Sequence, residues 1–147
     1  VKTNANRFSA AQMVRLIFAG HSCCMTPPYL FTLPSHGTAD SGWLTVAEGG
    51  SLPFAVQRAY WITEVPTSRV RGRHAHHTLE QVLVAVHGRI TLVIKAEGQE
   101  AVEFCLDQPT QALYLPPHCW PEIHFGPGAV LLCLASQPYD PADYIHE

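Results

Sequence analysis

From residue 29 onward the chain is cut by turn-forming clusters: EGGSLP at 48–53 and then, about every 8–12 residues, HG at 87–88, EG at 97–98, DQP at 107–109, PP at 116–117 and GPG at 126–128. What lies between them carries no helical pattern. Eight segments are instead rich in Val, Ile, Leu, Tyr and Phe, the composition of strands. They are GWLTVAE (42–48), FAVQRAYWITE (54–64), QVLVAV (81–86), RITLVIKAE (89–97), AVEFCL (101–106), QALYLP (111–116), WPEIHF (120–125) and AVLLCLAS (129–136). Many short strands with no helical pattern between them predict an all-β fold, a sandwich or a barrel such as a jelly roll.

Residues 1–28 have a different texture. Met13, Val14, Ile17 and Phe18 fall at helical spacing before the TPP at 26–28, so a short helical extension is expected, followed by one β domain over 29–147. The whole chain of 147 residues, 47% apolar and 14% charged, suits a single buried core, and no second domain is expected. A formal charge of −3 excludes the broad basic field of a nucleic-acid-binding protein. No apolar run approaches the ~20 residues of a membrane helix, and QMVRLIFAGHSCCM is a poor signal peptide, so a cytoplasmic location is expected. The five cysteines are odd in number and lack C-x-x-C spacing, which argues against a disulfide framework or a structural zinc site.

Chemistry concentrates in RGRHAHHTLEQ, residues 71–81. Side chains alternate along a strand, so His74 and His76 share one face while Ala75 and His77 take the other. The strongly apolar QVLVAV that follows places this face near an interior. Two adjacent imidazoles there form either half of a metal clamp or a proton-transfer pair. The bland alternative is a solvated face with incidental histidines.

RGRHAHHTLEQVLVAVHG resembles the first motif of the cupins, G-x5-H-x-H-x3,4-E-x6-G, whose metal-binding members ligate through both histidines, the glutamate and a later histidine. Counting back from Gly88 puts Gln81 in the carboxylate position, with Glu80 one residue early and so on the opposite face. The later histidine position falls on Pro121, in PPHCWPE. With two of four ligands replaced, no metal is expected; a metal-dependent enzyme would have to recruit His118 or His124.

A wider set of segments is similar to one cupin branch, the WxcM-like nucleotide-sugar 3,4-ketoisomerases: DSGWLTVAEGGSLPFAVQRAYWI, RGRHAHHTLEQVLVAVHGRITLVI, LYLPPHCWPEIH and VLLCLASQPYDPADYIHE. The resemblance covers about 30–147 and implies a closed cupin jelly-roll barrel acting on a dTDP-4-keto-6-deoxyhexose without metal or other cofactor. It implies His74 and His76 as the acid–base pair, His74 at carbon and His76 at the oxygens, with Tyr60 beside the enolate. Arg58 and Arg71 would hold the diphosphate, Gln81 a sugar oxygen, and Tyr114 and Trp120 the thymine or the sugar. A homodimer is also implied. The family commonly has Trp-His-Glu where this chain has Trp120-Pro121-Glu122. The competing readings are a non-catalytic nucleotide-sugar-binding cupin and the metal-dependent enzyme already named.

Overall fold

The computed structural model describes residues 26–146, and all its regular structure is strand apart from two single 3-10 turns. The strands are β1 (Tyr29–Thr32), β2 (Ser35–Thr38), β3 (Gly42–Thr45), β4 (Arg58–Ile62), β5 (Val70–Gly72), β6 (Ala75–His76), β7 (Gln81–His87), β8 (Ile90–Ala96), β9 (Val102–Leu106), β10 (Gln111–Leu115), β11 (Cys119–Phe125), β12 (Val130–Ala135) and β13 (Tyr144–Ile145). The eight segments expected from composition correspond to β3, β4 and β7 to β12. Among the described residues no helix is long and apolar enough to cross a membrane.

Every pairing is antiparallel. One sheet runs β1-β10-β7-β12-β4 and the other β5-β11-β8-β9, while β2-β3 and β13-β6 form two small ribbons. The main sheets face each other across one apolar core to which both contribute: Leu83, Leu113 and Leu131 from the first, Leu92, Ile94 and Ile123 from the second. β7 is central and covered on both faces. Leu83 and Ala85 enter this core, while Val82 and Val84 enter a second cluster with Ala112, Tyr114 and Leu134 on the outer face. Burial on both faces explains why QVLVAV reads as an unbroken apolar run instead of an alternation.

The expected closed jelly-roll barrel is not what forms. The sheets stay open, with β1 and β4 at the edges of one and β5 and β9 at the edges of the other, and among the described residues no ladder joins them. Consecutive strands β4 and β5 could have closed the gap. But β5 is three residues long and ends in the Gly72 kink, so it offers too little straight edge for a ladder, and the side chains of Arg58, Tyr60 and Arg71 line a cavity there. The expected N-terminal extension is likewise not seen as a helix: residues 26–28 carry no regular structure, and the helix expected at Met13–Phe18 lies outside the described residues.

Candidate active site

The cavity lies between the two sheets and has a volume of about 340 Å³, within the range of small-molecule sites, roughly 300–1,000 Å³. Arg58, Tyr60 and Ile62 enter from β4, where they alternate with the exposed Ala59 and Trp61. Gln81 and Leu83 come from β7 and Cys133 from β12. Arg71, Gly72, His74, Pro121 and Ile123 form the opposite wall, and Tyr139 and Tyr144 cover one side.

His74 owes its position to a backbone device. Gly72 has φ +84, and a Cβ there would overlap the carbonyl oxygen of Pro121, so the two backbones meet at a distance only glycine allows. Arg73 follows at φ +62 and donates its N–H to the same Pro121 oxygen at 2.8 Å. The kink turns His74 back so that its Nδ1 lies 3.1 Å from the Gly72 carbonyl oxygen. A carbonyl can only accept, so Nδ1 carries the proton and Nε2 keeps the lone pair of a base.

The His76 ring stands 5.2 Å from that of His74, nearly perpendicular to it. His76 is only 7% exposed and sits behind the cavity wall instead of lining it. Its Nδ1 is 3.2 Å from Asp143 Oδ2, a close contact whose angle falls short of a hydrogen bond. The carboxylate is anchored by Thr78, which donates its N–H and Oγ1–H to Oδ1 at 2.9 and 2.7 Å, and by the Leu79 N–H, donated to Oδ2 at 3.1 Å. Tyr144, paired with His76 across β13 and β6, lies 4.5 Å from the His76 ring and 4.8 Å from the His74 ring.

Burial and proximity set the charges. Burial lowers the pKa of His74 from the ordinary 6.5; the bond to Gly72 opposes this, while His146 and Arg71 reinforce it. His76 is lowered by burial and by His74, against the pull of Asp143. Both imidazoles are therefore neutral near pH 7 and able to accept a proton. Burial also raises the Asp143 carboxyl, but its hydrogen bonds from Thr78 and Leu79 outweigh that and its pKa is lowered. Tyr60 is pushed far above the usual tyrosine range by burial, then by Cys133 opposite it on β12, so its phenol stays protonated. Gln81 Nε2 donates to that phenol oxygen at 2.6 Å.

The cavity thus gathers His74, Tyr60, Gln81, Arg58 and Arg71, with His76 directly behind. Among the described residues, neither arginine pairs with a carboxylate. The Arg58 guanidinium lies over Tyr60 at 5.1 Å and Tyr139 at 5.6 Å. Glu80 faces away, accepting the Tyr114 hydroxyl at 2.6 Å on the outer side of the sheet. Tyr114 is therefore not at the cavity: it packs with Tyr29, Val82 and Val84. Trp120 is not there either, because its neighbours on β11, Pro121 and Ile123 among them, alternate and it is Pro121 that faces inward. His118 and His124 are exposed, and no cluster of three metal-ligating side chains occurs among the described residues. Asp143, Tyr139 and Tyr144 were not singled out from sequence, although PYDPADYIHE had already marked the segment that carries them.

Comparison with known proteins gives a consistent result. The family model described as WxcM-like, C-terminal (FdtA) matches residues 28–147. A TDP-4-oxo-6-deoxy-alpha-D-glucose-3,4-oxoisomerase of Aneurinibacillus thermoaerophilus is 37% identical over 105 residues, which is 71% of this chain and 75% of the relative. The sugar 3,4-ketoisomerase QdtA of Thermoanaerobacterium thermosaccharolyticum, solved as a histidine-to-asparagine variant with TDP-4-keto-6-deoxyglucose, is 34% identical, with a TM-score of 0.77 over 82% of this chain and 87% of that one. A 3,4-ketoisomerase from Helicobacter canadensis is 30% identical, with a TM-score of 0.76 over 82% and 90%. Matched along 28–147, the chain belongs to the FdtA, or WxcM-like C-terminal, family.

Proposed function

We propose that this protein is a sugar-nucleotide 3,4-ketoisomerase that moves the keto group of a dTDP-4-keto-6-deoxyhexose from C4 to C3. The reaction removes the C3 proton, passes through an enediolate, shifts a proton between the two oxygens and delivers one to C4. It needs a neutral base at carbon and a second proton carrier, each titrating near neutrality. The observation that carries this reading is His74: its Nδ1 is tied to the Gly72 carbonyl, its Nε2 is left basic, and a second imidazole stands 5.2 Å away.

In this reading His74 takes the C3 proton and His76 handles the proton that passes between the oxygens. Tyr60, protonated and oriented by Gln81, donates a hydrogen bond to the developing enolate oxygen. Arg58 and Arg71 meet the diphosphate. The nucleotide runs past Arg71 into a second cleft of about 650 Å³, which shares Ile62 and Arg71 with the cavity and adds Arg69 and Trp61. Every step is a proton transfer between groups of this chain and the sugar. Residues 29–147 are the catalytic unit, within a homodimer; the exposed Trp43 and Leu44 of the β2–β3 ribbon support burial against a second copy.

The test is to incubate the protein with TDP-4-keto-6-deoxyglucose in D₂O and follow the sugar by NMR. Deuterium at the sugar carbons with growth of a 3-keto product is expected, and His74→Asn should abolish both while TDP still binds. Binding of TDP with no exchange at any carbon would reduce the protein to a nucleotide-sugar-binding module.

A further inference from the structure

We propose that Asp143 is a positioning residue for the reaction: it fixes the proton of neutral His76 on Nδ1, so that Nε2 is the nitrogen that exchanges protons with the sugar. The proposal rests on the reading of the site as a ketoisomerase and adds a residue and a geometry to it.

Three observations carry it. Asp143 Oδ2 lies 3.2 Å from His76 Nδ1, and both side chains are about nine-tenths buried. The carboxylate cannot swing away, because three donors from Thr78 and Leu79 hold both of its oxygens. The two residues are brought together by backbone as well: Tyr144 pairs with His76 across β13 and β6, and the His77 N–H donates to the Asp143 carbonyl at 2.9 Å. An acceptor anchored this firmly beside one ring nitrogen selects the tautomer, since the proton stays on the nitrogen that faces the negative charge.

The other charged and titratable groups around His76 make no rival claim on Nδ1. His74 presents its ring at 5.2 Å, Tyr144 its ring at 4.5 Å, and Arg58 approaches from β4 as a like charge to the imidazolium. His118, from the turn before β11, touches His76 through its backbone N–H, which donates to the His76 carbonyl at 2.9 Å. Asp143 is the one carboxylate in contact with the ring among the described residues.

The sharp variant is Asp143→Asn. Thr78 offers two donors to Oδ1, so the amide oxygen settles there and the amide NH₂ turns toward His76 and Leu79. An NH₂ group donates, so Nδ1 must accept and the ring proton moves to Nε2. The probe is ¹⁵N NMR of labelled histidine in the free protein, which separates a protonated ring nitrogen from one with a lone pair. The wild type should show His76 protonated at Nδ1 and the variant at Nε2. Turnover on TDP-4-keto-6-deoxyglucose should fall about 10²–10⁴-fold with little change in KM, and the acid limb of the pH profile should move to lower pH.

A wild-type ring protonated at Nε2 overturns the proposal, and that measurement does not require the variant to fold. So does a variant whose proton remains on Nδ1, whatever its turnover. Migration of the proton with unaltered turnover would overturn the catalytic part of the proposal, together with the role given to His76. A wild type inactive on this sugar but showing the Nδ1–H tautomer would sink the ketoisomerase reading while leaving the Asp143 geometry intact.

Discussion

Gly72→Ala separates the two reasons a glycine stands between Arg71 and Arg73. The first is conformational: an L-residue at φ +84 costs roughly 1–2 kcal/mol. The second is contact: the new methyl would overlap the Pro121 carbonyl oxygen, and relieving that by moving β5 from β11 costs about 1–3 kcal/mol, as overpacking does. The sum is about 2–5 kcal/mol. Gly98 in the β8–β9 turn provides the comparison, because its φ is +70 but nothing lies within 4 Å of its Cβ position. Gly98→Ala should lose only the conformational part, about 1–2 kcal/mol. Urea unfolding of both variants measures the difference. Since the Gly72 carbonyl also holds the His74 ring, Gly72→Ala should slow turnover, whereas Gly98→Ala should not. If the two variants unfold within about 0.5 kcal/mol of each other, the close approach of Gly72 to Pro121 carries no energy and the contact argument fails.

Three further outcomes follow from the same geometry. Tyr114→Phe removes a hydrogen bond to the Glu80 carboxylate and should cost about 1–3 kcal/mol in urea unfolding while turnover stays within about twofold; a large loss of activity would return Tyr114 to the substrate site. Both His74 and His76 have lowered pKa values, so the unfolded chain binds protons near pH 6.5 that the folded chain refuses. Stability should be full above that pH and decline as pH falls through the folded-state values, with turnover persisting below 6.5; a urea midpoint that rises on acidification through this window would contradict the burial of these rings. Arg71→Ala should weaken TDP binding in calorimetry about 10–100-fold, and unaltered affinity would remove Arg71 from the diphosphate.

The sequence was most legible where one rule operated alone. The eight strands found from composition are each four or more residues long; the equally apolar β1, YLFT, was missed beside the N-terminal extension, and β2, SHGT, is too polar to stand out. β5, β6 and β13 are two or three residues long and carry no periodicity, so nothing local could announce them. The two aromatics that do not line the cavity, Tyr114 and Trp120, lie elsewhere for different reasons. In β10, flanked by β1 and β7, residues Ala112 to Leu115 are all buried, so alternation cannot tell which face Tyr114 takes. Trp120 was decidable in principle: Pro121, Ile123 and Phe125 share the inward parity of β11, and Trp120 has the other. Asp143 reaches His76 from 67 residues away through the β13–β6 ribbon, a contact that only the folded topology creates. Barrel closure failed for a related reason: β5 is only three residues long and ends at the Gly72 kink, so β4 and β5 form no ladder.

The opposite orientation of Glu80 and Gln81 has a consequence for how such sites diverge. A strand advances only about 3.4 Å per residue, and each step exchanges its two faces. Deleting Gln81, with the rest of β7 held in register, would bring the Glu80 carboxylate into the space where the Gln81 amide now meets Tyr60. Two imidazoles and a carboxylate are a ligand set for divalent iron, manganese or zinc. Proton-transfer and metal chemistry are thus separated on this scaffold by one residue at the start of β7, with no need to invent a new side chain, and a deletion could cross that boundary as readily as a substitution.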